Sequence, residues 1–201
     1  MNWDLNPPAE STQKDNDIQT VSQALAGKRI CLLICGSIAA YRAPDIVRSL
    51  RRHSATVHTI ASQSALQFVT IPALTWTSGQ KVVTSLTADA EHLADSCPFD
   101  IYLVAPATYN TINKFACGIA DSPLTLTLAA ALGYLESSKS EIFMVPCMHG
   151  SMHNSLLIKS MQQLQLAGVN FIKPKQEDGK DKLPEPEKLV NELINALSHN
   201  S

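Results

Sequence analysis

Residues 29–41 read RICLLICGSIAAY. Ile30 through Cys35 form an unbroken apolar run, and a strand buried on both faces, the kind parallel sheets use, has that composition. The run ends at Gly36-Ser37 and passes straight into a helical pattern. A glycine at a strand end lets the backbone approach a ligand closely. The free N–H groups of the next helix favour an anion, and Ser37 adds a hydroxyl. This is the chemistry of a phosphate cradle, and equally of a helix merely capped by Ser37. With one glycine rather than GxGxxG, the turn favours a single phosphate over a dinucleotide.

Moving outward, residues 38–52 place Ile38, Tyr41, Ile46, Val47 and Leu50 on one face and end in Arg48, Arg51 and Arg52. That is an amphipathic helix with cations at its C-terminus. Further strands are expected at 55–61, 100–105, 141–146 and 168–172, and helices at 108–117, 122–132, 151–166 and 187–197. The alternation predicts an α/β fold, a three-layer, doubly wound parallel sheet of the Rossmann or flavodoxin-like kind. It forms a single domain over 27–201, with a flexible N-terminal tail over 1–26. In such folds the ligand sits beyond the carboxyl ends of the strands, here the turns after Cys35, Ala61, Ala105 and Pro146. Residues 173–186, KPKQEDGKDKLPEP, read as a charged, mobile surface loop.

Composition excludes several function classes. The net charge is −2 with no basic run, so nothing favours nucleic acid or an anionic membrane surface. The longest apolar run, 30–35, falls far short of the ~20 residues of a membrane helix. The N-terminal residues carry Asp4, Glu10, Asp15 and Asp17 rather than a signal peptide's apolar core, which suggests a cytoplasmic protein. The five cysteines make no CxxC pair and read as reduced structural thiols. His149 and His153 have i, i+4 spacing, but no third ligand stands at a metal-site spacing, so no metal is expected.

The remaining strand ends are polar. Ser62 and Ser64 follow the second strand, close enough in sequence to reach the same phosphate or to cap a helix. Pro106, Thr108, Asn110 and Thr111 follow the next, as donors into a crevice or as another helix start.

Taken jointly, GSIAAY at 36–41, PATYNT at 106–111, GIAD at 118–121 and PCMHGSM at 146–152 resemble the homo-oligomeric flavin-containing cysteine decarboxylase family. Phosphopantothenoylcysteine decarboxylase is one of its members. The family's corresponding signatures are G-S-I-A-A-Y, P-A-S-A-N-T, G-I-A-D and P-A-M-N-x-x-M, and the resemblance spans roughly residues 28–189. It implies FMN as cofactor. Gly36, Ser37, Ile38 and Ser62 would hold the phosphate. Ala105, Pro106, Thr108, Tyr109, Asn110 and Thr111 would serve the ribityl chain and ring edge, and Met148 would lie near the ring.

The resemblance also implies an active-site base at His92, thirteen positions before Ala105, and a role in coenzyme A biosynthesis on a small cysteine-derived carboxylate. In this chemistry the flavin oxidises CH₂–SH to a thioaldehyde, and the electrons of decarboxylation then drain into sulfur. Family members are homo-oligomers, so a trimer or dodecamer is implied, with the flavin near a subunit interface. Two positions depart from the pattern. The asparagine that grips the substrate carboxylate is replaced by His149, which joins His92 as a catalytic candidate. The flap's reactive cysteine aligns with Lys175 when GKDKLPEP at 179–186 is set against G-K-G-R-M-A-E-P, leaving Lys175, Gly179 and Lys180 as the substrate flap. An FMN-dependent reductase for a dihydropterin-type acceptor and a non-catalytic regulatory or binding homologue are the alternatives.

Overall fold

The computed structural model describes residues 5–7, 14–88, 90 and 98–199. Strand β1 (Arg29–Ile34) leads through a 3₁₀ turn at Ile38–Arg42 into α1 (Ala43–Arg52). Then come β2 (Thr56–Ala61), α2 (Ile71–Ser78) and β3 (Val82–Val83). The second half carries β4 (Ile101–Ala107), α3 (Tyr109–Ala116), α4 (Pro123–Glu136), β5 (Glu141–Pro146), β6 (Met148–His149) and α5 (Ser155–Leu166). It closes with β7 (Asn170–Phe171), β8 (Lys175–Glu177), β9 (Lys180–Lys182) and α6 (Pro186–His199).

The main sheet has the order β3-β2-β1-β4-β5-β7, and each neighbouring pair is parallel. The order reverses between β1 and β4, so connections leave to opposite faces there and open a crevice above their carboxyl ends. Strand alternation divides the core into two layers. Ile30, Leu32 and Ile34 of β1 pack with Ile46, Val47, Leu50, Leu74 and Leu193. Cys31, Leu33 and Cys35 face the other way, toward Ile112, Phe115, Leu128 and Leu157. Helices α1, α2 and α6 thus cover one face, and α3, α4 and α5 the other. This is the expected three-layer, flavodoxin-like α/β domain. Each fully buried aliphatic side chain contributes about 1.5–3 kcal/mol, which accounts for unbroken apolar runs in the inner strands. Among the described residues, no helix is long and apolar enough to cross a membrane.

Several local outcomes differ from the sequence expectations. The helix expected over 38–52 is divided: Ser37 caps the 3₁₀ turn, and Pro44 in the first turn of α1 restarts the ladder. The end of the segment set apart as a tail is packed rather than free. Val21 N–H donates to Arg52 O at 2.7 Å, Leu25 N–H to His53 O at 2.9 Å, and Leu25 is fully buried. An apolar residue that finds the core outweighs a polar local composition. The loop expected over 173–186 contains the β8–β9 hairpin, turned at Asp178-Gly179 with both φ positive (52° and 65°). Strand β9 also pairs antiparallel with β6, giving a second sheet of order β6-β9-β8.

Candidate functional site

The carboxyl ends of the sheet open into a cleft of about 680 Å³. Each inner strand delivers a turn to it. After β1, Gly36 and Ser37 form the floor. Ser37 Oγ accepts from Ala39 N–H at 3.3 Å, which turns its hydroxyl toward the start of the next helix. A Cβ on Gly36 would lie 2.2 Å from Ser64 Oγ, so the missing side chain is what lets the Ser64 hydroxyl join the turn. After β2, Ser62 and Ser64 stand with their hydroxyl oxygens 3.2 Å apart. After β4, Thr108 caps α3 by accepting from Thr111 N–H at 3.4 Å, with the two threonine hydroxyls 3.1 Å apart. Ser122 and Thr125 cap α4 reciprocally on the same cleft.

The electrostatics suit an anion held by neutral donors. Two helix starts and a 3₁₀ start meet here, each bringing a positive dipole end. Lys114, the cation among the described lining residues, is bound to Asp121 at 2.5 Å, and this contact holds the Asp121 carboxyl below its usual range. The apolar part of the lining comes from Leu124, Met148 and Met152. The two thiols here, Cys35 behind the cleft and Cys147 in its lining, are held in the protonated form. Burial pushes Cys35 up to about 11 against hydrogen bonds from Thr111 and Thr108, and burial also raises Cys147.

A second cleft of about 620 Å³ adjoins the first and shares Ser37, Cys147 and Met148 with it. The hairpin lines it with Lys175, Lys180 and Asp181, in one sheet with His149, which pairs with Lys180. His149 Nδ1 accepts from Ser151 N–H at 3.2 Å. A ring nitrogen that accepts a hydrogen bond carries no proton, so Nε2 bears the N–H and is the ring's donor.

The structure therefore gathers most, though not all, of the residues singled out in the sequence. Gly36, Ser37, Ser62, Thr108, Tyr109, Asn110, Thr111 and Met148 line the first cleft. Ile38, His149, Lys175 and Lys180 line the second instead. Ala105 and Pro106 are buried within β4, behind the lining. Gly179 sits at the hairpin turn, its carbonyl accepting from Gly150 N–H at 2.9 Å. His153 is bound to Asp181 at 2.8 Å. His92 lies outside the described residues. Gln63, Thr84, Ser122, Thr125, Cys147 and Met152 were not foreseen in the lining. Of these, Cys147 and Met152 had a signal, because they sit inside the PCMHGSM motif.

Phosphate, polyol and flat ring each find matching groups: the Gly36 turn with its serines, the threonine hydroxyls, and the methionine and leucine side chains. The donor set fits a flavin mononucleotide.

Comparison with known proteins agrees with this geometry. A family model described as Flavoprotein matches residues 18–198. The coenzyme A biosynthesis bifunctional protein CoaBC of Thermococcus kodakarensis is 37% identical over 183 residues, covering 89% of this chain and 44% of that protein. The CoaBC of Methanocaldococcus jannaschii is 32% identical over 181 residues, covering 90% and 44%. The chain thus spans less than half the length of the curated relatives it matches. Among solved structures, the FMN-dependent cysteine decarboxylase SpaF superposes with a TM-score of 0.72 at 25% identity, over 86% of this chain and 99% of that one. A PPC decarboxylase mutant complexed with pantothenoylaminoethenethiol shares the fold, with a TM-score of 0.71 at 22% identity over 87% and 99%.

Proposed function

The chain belongs to the flavoprotein family, and from that premise we propose that it is an FMN-binding enzyme that decarboxylates a small cysteine-derived carboxylate. One observation carries the proposal: three neighbouring strand ends supply hydroxyls to one cleft, the end of β5 adds Cys147 and Met148, and a second cleft opens beside it through Ser37, Cys147 and Met148. The names of the relatives, a coenzyme A biosynthesis protein and an FMN-dependent cysteine decarboxylase, support the same reading. We read the described body from Val21 onward, with Leu25 in its core, as the flavoprotein domain and the protein as cytoplasmic.

When bound, the flavin supplies the two-electron oxidation that makes loss of carbon dioxide feasible. The chain's own residues do the rest. Gly36, Ser37 and Ser62, with the Ile38 N–H, hold the phosphate, while Thr108 to Thr111 serve the polyol and ring edge, with Ala105 and Pro106 behind them. Met148 packs beside the ring. His149 donates its Nε2–H to the substrate carboxylate, doing with an imidazole what an amide would do. Lys180, the cross-strand neighbour of His149, and Lys175, paired with Glu177, bring cationic side chains to the same cleft. His92 is the base in this reading.

The chain has no cysteine after Cys147. That favours release of an enethiol product over return of the hydride, since no thiol of the hairpin is there to serve a reduction. Ile38 and Tyr41 are 68% and 60% exposed at the rim of the second cleft, which supports a homo-oligomer, a trimer or dodecamer, that covers them. The test is to incubate the flavin-loaded protein with cysteine-terminated peptides and with phosphopantothenoylcysteine, following carbon dioxide and product mass. A mass loss of about 46 is expected, carbon dioxide leaving and two hydrogens passing to the flavin, which is reduced. A flavin-loaded protein that releases no carbon dioxide from either class contradicts the proposal.

A further inference from the structure

The β8–β9 hairpin walls the second cleft, yet between residues 175 and 182 it buries no apolar side chain. Its one buried side chain is Asp181, whose carboxylate is 4% exposed. A carboxylate withdrawn from water needs donors. Among the described residues it has two: Gln176 Nε2 at 3.4 Å, from within the hairpin, and His153 Nδ1 at 2.8 Å, from the segment that follows β6. The His153 contact is therefore a cross-tie from the body of the domain to the hairpin. Within residues 175–182 the other ties are backbone ones: Met148 opposite Asp181, His149 opposite Lys180, and Gly150 N–H to Gly179 O; just past the hairpin, Leu183 is buried in the core and its carbonyl accepts from Arg42. Asp181 itself lines the second cleft, and its strand carries Lys180 there.

We propose that His153 and Asp181 form a latch that holds the hairpin as the wall of the second cleft, and so act as positioning residues for the molecule bound there. The identity of that molecule, a cysteine-derived carboxylate, rests on the reading above; the latch does not. Without the cross-tie, the hairpin keeps two residue pairs, the Gly150–Gly179 bond and exposed, polar side chains. The hairpin then undocks, and Lys175 and Lys180 leave the cleft. Loss of one hydrogen bond to a charged group shifts such a docking equilibrium by roughly tenfold or more.

Trypsin reads the hairpin directly, because Lys175, Lys180 and Lys182 lie in it. The full chain, as His153→Phe and as Asp181→Ala, is digested under native conditions and the fragments are weighed. Cleavage after these lysines is expected to accelerate roughly tenfold in both variants, and to return toward the parent rate in His153→Asn, whose Nδ2–H takes the place of the ring Nδ1–H toward Asp181. Flavin content stays at the parent level. With substrate, KM is expected to rise roughly tenfold while kcat stays within about twofold. Parent-like cleavage in both variants overturns the latch, and faster cleavage with unchanged KM overturns its positioning role. Should the protein bind no flavin, the proposed function fails while the trypsin result still decides the latch.

Discussion

Ser37 Oγ lies 3.8 Å from Cys147 Sγ, although the two residues are 110 positions apart. The contact joins the turn after β1 to the turn after β5, and both residues face both clefts. Whatever occupies the first cleft is thereby next to whatever occupies the second. Transfer of electrons from a substrate thiol to a flavin ring needs that adjacency.

The turn at Gly36 admits no side chain. Gly36→Ala places a methyl 2.2 Å from Ser64 Oγ and 2.5 Å from Ser64 Cβ, so the Ser62–Ser64 turn must move. Overpacking of this kind costs about 1–3 kcal/mol, and FMN affinity is expected to fall at least roughly tenfold as the hydroxyls leave the cradle. Thermal unfolding and a flavin fluorescence titration measure the two effects. A Gly36→Ala, Ser64→Gly double variant is expected to recover most of the stability.

His149 tests the carboxylate grip. Because Ser151 N–H fixes Nδ1 as an acceptor, Nε2–H remains a donor without protonation of the ring. His149→Phe is expected to keep flavin and lose at least roughly tenfold in turnover. His149→Asn, which restores an amide donor, is expected to retain substantial activity. Equal turnover in the Phe variant removes His149 from substrate binding.

Cys35 gives a pH signature. Burial raises its folded thiol from 9.0 to about 11. The folded protein therefore keeps a proton that the unfolded chain loses, and unfolding releases protons. Stability from this group is complete below pH 9 and is lost as the pH rises through about 11. The shift corresponds to roughly 2–3 kcal/mol. Buried Cys31 and Tyr102 act in the same direction. Urea unfolding between pH 8 and 11 is expected to show falling stability, with a shallower fall in Cys35→Ala. Identical slopes in the two proteins contradict this assignment.

Leu25 anchors the residues before β1. It is fully buried beside the first core layer. Leu25→Ala is expected to cost about 2–4 kcal/mol in urea unfolding. A change below about 0.5 kcal/mol shows that the segment is not part of the folded unit.

The parallel strands were legible because burial on both faces forces unbroken apolar runs such as ICLLIC, and the site turns because glycine, serine and threonine cluster at their ends. Helix α2 was not. Its sequence, IPALTWTS, carries no apolar stripe, and its start is fixed by the Thr70 cap and by packing on α1 and β2. Strand β3 is two residues long and exists through pairing with β2. The hairpin was hidden by charge: KQE and KDK lack apolar alternation, and only Asp178-Gly179 marked a tight turn. Leu25 was hidden by polar neighbours. His153 and Asp181 looked unrelated, since only pairing of β9 with β6 brings them together.

The phosphate cradle at Ser37 is where the functional reading stands or falls. Titrating the apoprotein with FMN and with riboflavin, which differ only in the phosphate, isolates it. FMN is expected to bind at least roughly tenfold more tightly than riboflavin, and Ser37→Ala is expected to erase most of that difference while leaving riboflavin affinity unchanged. Equal affinity for the two flavins, or no binding of either, contradicts the assignment of this cleft.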